Sequence, residues 1–448
     1  MDTPIVDFVK NYAQSSKARF HMPGHKGVSF FCCEQLDITE ISGADELYVP
    51  QGIILSSERN AASLFGTSLT AYSAGGSTQS IQAMLFAAYR RADKTAVKPF
   101  VLAGRNAHKA FIYAAAKLGF DVVWLYPEQD ESICSCSVTA AMLERELNSL
   151  EYKPFAVYIT SPGYLGGVSD IAALSKVCKR YGVPLLVDNA HGAYLAFCED
   201  NLHPISLGAD MCCDSAHKTL PVLTGGAYLH VAKDYIYSFA DSVISATAVF
   251  GSTSPSYLIM QSLDMCNKYI YEQIRGDIDR CAKLVQKVRD AMKKASVADI
   301  SEEPLKIAAD FRSKRIVGFE NPGDYFRSKD IEPEYADKDF VVFMVSPFNS
   351  ESDFDRLISA FAGIELGFDV REQCGFVKGK NVMSVRDAVF SASETVDVSA
   401  SLGRVCAAPT VSCPPAIPVA VSGELITAEH IKMLEYYGIG EIDVVIPD

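Results

Sequence analysis

Residues 69–88, LTAYSAGGSTQSIQAMLFAA, join a short apolar run to a helical pattern through a glycine turn. The stretch LTAYSAG ends in glycine and predicts a buried strand. Apolar residues then recur at helical spacing, at Ile81, Met84, Leu85 and Ala88. A strand that turns directly into an amphipathic helix is the building unit of an α/β fold.

The same alternation of strand and helix patterns continues to about residue 232. Further strands are predicted at 99–105, 121–126, 155–161, 184–190, 209–215 and 225–231, and helices at 108–119, 138–150 and between Asp170 and Gly182. Apolar strands separated by amphipathic helices favour a mostly parallel sheet that is covered on both faces. In such sheets ligands bind beyond the carboxyl ends of the strands.

The remainder of the chain predicts a second, smaller region. A long helix, in one or two pieces, is expected from Tyr257 past Met292. Beyond it we expect a strand at 339–347, a helix after Ser352 and another apolar strand near 416–421. The predicted organisation is therefore an N-terminal arm (1–60), a large domain (61–299) and a small α+β domain (300–448).

The amino-acid composition indicates which kinds of partner the protein is unsuited to bind and which cellular compartment it is expected to occupy. Among 448 residues, Lys and Arg number 41 and Asp and Glu number 55, so the net charge is −14. An acidic chain without a basic run is a poor partner for nucleic acid or an anionic membrane. No long apolar segment or signal peptide is visible. The 13 cysteines lack zinc-like spacing, which favours free thiols in the cytoplasm.

The stretch SAGGSTQS (73–80) places two glycines before a predicted helix start. Backbone N–H groups at a helix start bind anions, and glycine lets a phosphate approach closely. A capped helix after a tight turn is the alternative interpretation. The stretch matches neither the P-loop nor the G-x-G-x-x-G pattern.

Polar residues follow two later strands. Asp188 ends the apolar run of LLVDNAHGAY (185–194), where an ionised carboxylate needs a partner such as a protonated ring nitrogen. It could instead cap the next segment, and His191 could be an ordinary turn histidine. In DSAHKTL (214–220), Lys218 follows another strand. A phosphate cradle, an aspartate and a lysine in this order predict a pyridoxal-phosphate site, with Lys218 holding the cofactor as a Schiff base.

Motifs spread over residues 20–264 resemble the Orn/Lys/Arg decarboxylase family of fold type I (aspartate-aminotransferase-like) pyridoxal-phosphate enzymes. They are FHMPGHKG (20–27), DITEISGADEL (37–47), AGGSTQS (74–80), GRNAHKA (104–110), TSPGYLGGVSDI (160–171), DNAHGAY (188–194), DSAHKTLP (214–221) and STSPSYLIMQSLD (252–264), with a weaker match at PPAIPVAVSGE (414–424). The resemblance implies a decarboxylase of arginine, lysine or ornithine, resembling the compact bacterial members and serving polyamine biosynthesis.

The resemblance also implies a role for individual residues. Lys218 is expected to bind the cofactor covalently, Asp188 to pair with the pyridine nitrogen and His108 to stack on the ring. The expected phosphate ligands are Gly76, Ser77, Thr78, Ser215 and His217, whereas Ala190 and His191 would line the other side of the ring. Thr253 and Ser254 would reach the phosphate of a neighbouring subunit, which implies a homodimer with shared sites. The proton donor is left open between Lys218, His217 and a cysteine.

Several positions depart from the family pattern or stay open. Gly163, Ala216 and Gly225 stand where the family commonly has threonine, threonine and glutamine, which puts substrate specificity in doubt. Asp45 and Glu46 are candidates for recognising a distal cationic group, or else belong to a solvated turn. His21 and His25 are four residues apart, but Pro23-Gly24 between them argues against a helix and so against a metal site.

Competing functions on the same fold are transamination, β-elimination and a non-catalytic role. An aminotransferase would typically bind the substrate carboxylate through an arginine of the small domain, for which Arg371 and Arg404 are candidates. A non-catalytic relative would bind a cofactor or a partner without turnover. The joint presence of Lys218, Asp188 and His108 argues against that last interpretation.

Overall fold

The computed structural model describes residues 1–95, 97–128, 132–233, 240–369, 375–409 and 416–447. The chain divides into two compact units. Unit 1 comprises residues 1–92, 155–157 and 171–276, and unit 2 comprises residues 93–154, 158–170 and 277–448. Within the described residues, no helix is long and apolar enough to cross a membrane. The predicted division at residues 60 and 299 stays a prediction.

The chain carries fifteen strands and fourteen α-helices over the residues that the structure describes. The strands are β1 Leu69–Ser73, β2 Phe100–Gly104, β3 Asp121–Leu125, β4 Ala156–Thr160, β5 Leu185–Asp188, β6 Met211–Asp214, β7 Ala227–Val231, β8 Ala298–Asp299, β9 Lys306–Asp310, β10 Lys314–Ile316, β11 Tyr335–Ala336, β12 Phe340–Met344, β13 Leu366–Phe368, β14 Ser393–Asp397 and β15 Glu441–Val445. The helices are α1 Pro4–Ala13, α2 Ile53–Phe65, α3 Gly76–Tyr89, α4 Lys109–Leu118, α5 Ala140–Ser149, α6 Ile171–Tyr181, α7 Ala216–Thr219, α8 Ala240–Phe250, α9 Tyr257–Glu272, α10 Ile274–Lys294, α11 Pro322–Arg327, α12 Glu351–Ala362, α13 Val385–Phe390 and α14 Ala428–Tyr436.

In unit 1 the strands β1, β7, β6 and β5 lie side by side in that order. The pair β5–β6 is parallel, whereas β7 is antiparallel to both of its neighbours. Strands β1, β6 and β5 therefore run in the same direction, and their last residues Ser73, Asp214 and Asp188 lie at one edge. All residues of β5, β6 and β7 are buried, which explains why these strands read as continuous apolar runs.

The N-terminal helix α1 is tied to unit 1 through Asp264. One oxygen of this carboxylate accepts hydrogen bonds from the backbone N–H groups of Ile5 (2.9 Å) and Val6 (3.0 Å). The other oxygen accepts from Ser57 Oγ at 2.5 Å. A carboxylate at a helix N-terminus satisfies N–H groups that have no partner within the helix. Asp264, the last residue of the motif STSPSYLIMQSLD, thus anchors the start of the chain.

Glu58 is a buried acid on α2 whose ionisation should make stability depend on pH. It is 5% exposed, and its Oε1 accepts a hydrogen bond from the Tyr72 N–H at 2.9 Å. Burial raises the pKa of Glu58 to about 8 from its ordinary value of 4.5. The hydrogen bond from Tyr72 lowers the pKa, and the nearby charge of Asp45 raises it further. The folded state thus keeps a proton that the unfolded chain releases, so stability falls as pH rises through this range.

We expect Glu58→Gln to unfold at higher urea concentration than the parent near pH 9 and at the same concentration near pH 4. The amide still accepts from Tyr72 but cannot ionise, so the gain near pH 9 should be on the order of a few kcal/mol. Urea unfolding at several pH values measures it. Glu199→Gln, at an exposed position, is the control. An unchanged pH dependence in Glu58→Gln would contradict the prediction.

Unit 2 contains the parallel pair β2–β3 and a four-stranded sheet in the order β11, β12, β9, β8. The pairs within the four-stranded sheet are antiparallel. A buried apolar cluster contains residues from several parts of the unit, including Tyr164, Val342, Val419, Leu434 and Val444. The strand predicted at 339–347 and the helix predicted after Ser352 are both present, as β12 and α12.

The strand predicted near 416–421 was wrong, because these residues form no regular element. Side chains satisfy their backbone groups instead: the Arg105 guanidinium donates to the carbonyls of Pro418 (2.8 Å) and Val419 (2.9 Å), and Val421 N–H donates to Glu424 (2.8 Å). The run is apolar because residues 416–421 are buried, which periodicity alone cannot distinguish from a strand.

Candidate active site

Lys218 lies just beyond the carboxyl end of β6. Ser215 is the N-cap of the short helix α7, and Lys218 is the third residue of that helix. The Lys218 Nζ lies 3.0 Å from the Nε2 of His191, which is 27 residues away in sequence. His191 is 6% exposed and Lys218 is half-buried. The fold therefore brings together the lysine and one of the histidines that the motifs singled out.

Asp188 ends the neighbouring strand β5. It is 2% exposed, and its Oδ1 accepts from the Ala190 N–H at 3.2 Å and from the Cys213 thiol at 3.6 Å. Asp188 and Cys213 are paired residues of the parallel ladder. A buried carboxylate held in this way is suited to a cationic partner such as a protonated ring nitrogen.

The glycine turn after β1 leads into α3. Gly76 has φ +70, a left-handed conformation that glycine adopts without strain, and its N–H donates to the carbonyl of Gly225 at 2.8 Å. The N–H groups of Ser77 and Thr78 belong to the first turn of α3, where a helix offers them no acceptor. Ser77 is half-buried and Thr78 is exposed. These two N–H groups can therefore bind an anion.

Gln79 organises this turn, and the sequence patterns did not single it out. Its Oε1 accepts from Ser73 Oγ (2.7 Å) and from the Gly75 N–H (3.1 Å), while its Nε2 donates to the Thr247 carbonyl (2.9 Å) and to the Tyr48 hydroxyl (3.2 Å). Gln79 is 4% exposed. The signal that could have identified Gln79 was its place in the first turn of the predicted helix. A buried amide at such a position needs hydrogen-bond partners.

Two glycines connect the turn after β6 with the turn after β1. The carbonyl of Gly226 accepts from the backbone N–H of His217 (3.2 Å) and from His217 Nδ1 (3.1 Å). Gly225, whose carbonyl binds Gly76, has φ +97, and a Cβ there would lie 3.2 Å from Ile259 Cδ1. The departure from glutamine at position 225 is thus accommodated by a backbone that favours glycine.

The residues of unit 1 fit pyridoxal phosphate. Ser215 Oγ is buried and has no hydrogen-bond partner within the described residues, so it is available to a phosphate oxygen. Lys218 supplies a primary amine for the aldehyde, and Asp188 supplies a buried carboxylate for the pyridine nitrogen. Ala190 and His191 are both buried on the turn that follows Asp188.

Three further predicted site residues belong to unit 2 or lie at the surface. His108 belongs to unit 2, where it caps α4 by accepting from the Ala110 N–H at 3.1 Å. Thr253 and Ser254 are exposed on the segment that precedes α9. The stacking role of His108 and the role of Thr253 and Ser254 in a neighbouring subunit stay predictions.

The candidates for substrate recognition have structural contacts of their own. Asp45 accepts backbone hydrogen bonds from Gly52 (2.6 Å) and Ile54 (3.0 Å) at the start of α2. Burial opposes its ionisation, but hydrogen bonds from the backbone N–H groups of Gln51, Gly52, Glu46 and Leu55 outweigh burial and lower its pKa. Glu46 is exposed. Arg404 donates to Glu394 (2.7 Å) and to the Val445 carbonyl (3.0 Å), and Arg371 lies outside the described residues.

Comparison with known proteins identifies similar chains. The profile of "Orn/Lys/Arg decarboxylase, major domain" matches residues 3–332. The arginine decarboxylase of Bacillus subtilis (strain 168) is 28% identical over 466 residues, covering 97% of this chain and 93% of its own. The lysine decarboxylase LdcF of Francisella novicida superposes with a TM-score of 0.79 at 17% identity, covering 99% of this chain and 81% of that one.

A second solved structure, also of a lysine decarboxylase, has a similar fold. The constitutive lysine decarboxylase of E. coli superposes with a TM-score of 0.76 at 16% identity, covering 99% of this chain and 82% of that one. Together the two superpositions confirm the predicted fold, the fold type I architecture of pyridoxal-phosphate enzymes with a mixed, mostly parallel central sheet. With the profile match over most of its length, the chain belongs to the Orn/Lys/Arg decarboxylase family, whose members are pyridoxal-phosphate-dependent amino-acid decarboxylases.

Proposed function

We propose that this enzyme removes the carboxylate of a basic amino acid, arginine, lysine or ornithine, with pyridoxal phosphate bound at Lys218. The observation that carries the proposal is the 3.0 Å contact between Lys218 Nζ and His191 Nε2, on the turn that begins at the buried Asp188. Family membership supports the reaction class. Arginine is the first substrate to test, since the B. subtilis relative is named an arginine decarboxylase.

His191 can control the proton on Lys218. A lysine amine attacks a carbonyl only after it has lost its proton. At 3.0 Å, His191 Nε2 is within reach to accept that proton from Nζ and to return it later. This contact gives His191 a second role beside lining the ring. His217 Nδ1 lies 3.1 Å from the Gly226 carbonyl, and this contact fixes the orientation of its imidazole.

Asp188 has the electrostatic role. Its carboxylate would pair with the pyridine nitrogen and keep a proton on it, while the Ala190 N–H and the Cys213 thiol hold the carboxylate in place. When bound, pyridoxal phosphate supplies an electron sink for the pair released as the Cα–carboxylate bond breaks. The phosphate would be held by the N–H groups of Ser77 and Thr78 and by Ser215 Oγ.

The contacts of Arg404 argue against this residue as the carboxylate-binding arginine of an aminotransferase. An aminotransferase needs an arginine that is available to the substrate carboxylate, whereas Arg404 is engaged by Glu394 and Val445. We further propose a homodimer that completes the site with Thr253 and Ser254, and a cytoplasmic enzyme of polyamine biosynthesis. Free thiols at all described cysteines support the cytoplasmic assignment.

A substrate screen tests the function. The purified protein is supplied with pyridoxal phosphate and, separately, with arginine, lysine and ornithine, and CO₂, amine and keto acid are measured. We expect CO₂ and the matching amine in equal amounts from at least one substrate. Keto acid without CO₂ would establish an aminotransferase, and no product from any of the three would contradict the proposal.

A further inference from the structure

Asn189 is a buried residue, held by three hydrogen bonds, on the turn that carries Asp188 and His191. Its backbone N–H donates to the Cys213 carbonyl at 2.9 Å, and its carbonyl accepts from the Gly192 N–H at 2.8 Å. Its side-chain Nδ2 donates to Asp214 Oδ1 at 2.7 Å. Asn189 is completely buried. The turn is thus attached to β6 through two hydrogen bonds of one residue.

Asp214, the residue that accepts from Asn189, is itself held in a buried polar cluster. Its Oδ2 lies 3.0 Å from His203 Nε2 and 3.2 Å from His230 Nε2, and all three side chains are fully buried. His230 Nδ1 lies 2.8 Å from Thr70 Oγ1 on β1. Burial opposes ionisation of Asp214, but the two histidines outweigh it and lower its pKa. The acceptor of Asn189 is therefore both charged and fixed.

Asp214 also directly precedes Ser215, the first residue of the turn that carries Lys218. The hydrogen bond from Asn189 to Asp214 therefore joins the turn of Asp188 and His191 to the turn of Lys218. A shift of Asn189 would move the Asp188 carboxylate and His191 Nε2 together, relative to Lys218 Nζ. Placement errors of about 1 Å in such groups are enough to slow a reaction considerably.

We propose that Asn189 is a positioning residue, which through Asp214 holds Asp188 and His191 in register with Lys218. This inference rests on the proposed function. Asn189 is not proposed to contact substrate or cofactor; it acts through Asp188 and His191 on the same turn and through the charge of Asp214. The buried pair of His203 and His230 serves the same purpose by keeping Asp214 in place.

Asn189→Ala tests the proposal, because it removes the contact with Asp214 and leaves Asp188, His191 and Lys218 unchanged. We expect kcat to fall roughly 10- to 100-fold with little change in KM. Binding of pyridoxal phosphate to the apo protein, measured by equilibrium dialysis, should weaken, and the visible absorption band of the bound cofactor should shift. Ser175→Ala is the control, since it removes another side-chain hydrogen bond of unit 1, from the buried residue Ser175, whose Oγ donates to the Gly208 carbonyl (2.6 Å).

A second pair of variants keeps the test decisive if loss of the side chain also lowers stability. Asn189→Asp places two carboxylates against each other and should slow turnover more than Asn189→Ala. Adding Asp214→Asn to Asn189→Asp restores a donor and an acceptor at this contact and should recover part of the lost kcat. Recovery supports positioning through this hydrogen bond, and an Asn189→Asp variant that turns over as fast as the parent would overturn it.

The outcomes separate this inference from the proposed function. A parent enzyme that neither binds pyridoxal phosphate nor releases CO₂ would end the proposed function itself. A fully active parent, with Asn189→Ala matching Ser175→Ala in kcat, cofactor affinity and absorption band, would refute the role of Asn189 alone.

Discussion

Lys218→Ala should abolish decarboxylation, lowering kcat roughly 1,000-fold or more. The variant lacks the amine that binds the cofactor covalently, and it also lacks the Nζ that lies 3.0 Å from His191 Nε2. The visible absorption band of covalently bound cofactor should disappear, whereas the phosphate contacts at the start of α3 remain. Absorption spectra and CO₂ release together measure both effects.

The matched control is Lys176→Ala, which removes an exposed lysine from α6 of the same unit. This variant should keep the absorption band and the turnover of the parent. If Lys218→Ala kept the band, another residue would hold the cofactor, and the assignment of Lys218 would be wrong.

Asp188→Ala should lower kcat roughly 100- to 1,000-fold while the protein still binds some cofactor. Without the buried carboxylate, nothing at the end of β5 keeps a proton on the pyridine nitrogen, and an unprotonated ring accepts electrons poorly. The lysine and the phosphate ligands are unchanged, so affinity should fall less than turnover. Equilibrium dialysis and steady-state kinetics distinguish the two quantities.

Asp210→Asn is the control for Asp188→Ala. Asp210 is also buried, at 8% exposure, and accepts from the Leu185 N–H at 2.7 Å at the opposite end of β5. Losing its charge should change stability rather than kcat. Normal turnover in Asp188→Ala would remove the electrostatic role from this residue.

Local sequence patterns were sufficient to predict most of the strands and helices. Each strand predicted between residues 69 and 231 is present but one to three residues shorter, and the long helix after Tyr257 is divided into α9 and α10. These predictions succeeded because buried strands and amphipathic helices have different apolar periods, and because glycine often ends a helix or marks a turn. The strand prediction for residues 416–421 failed because Arg105, more than 300 residues away in sequence, donates hydrogen bonds to the carbonyls of this segment.

For the candidate site, too, the sequence indicated some features and only the structure showed others. Residue types and their order along the chain were enough to nominate Lys218, Asp188 and the glycine turn, because each follows the end of an apolar strand and parallel strands end at one edge. Their order did not reveal that His191 contacts Lys218, that Gln79 organises the glycine turn, or that Asn189 binds Asp214. Such contacts join residues from different strands, and their distances depend on strand order and register, which only the packing of the whole sheet determines.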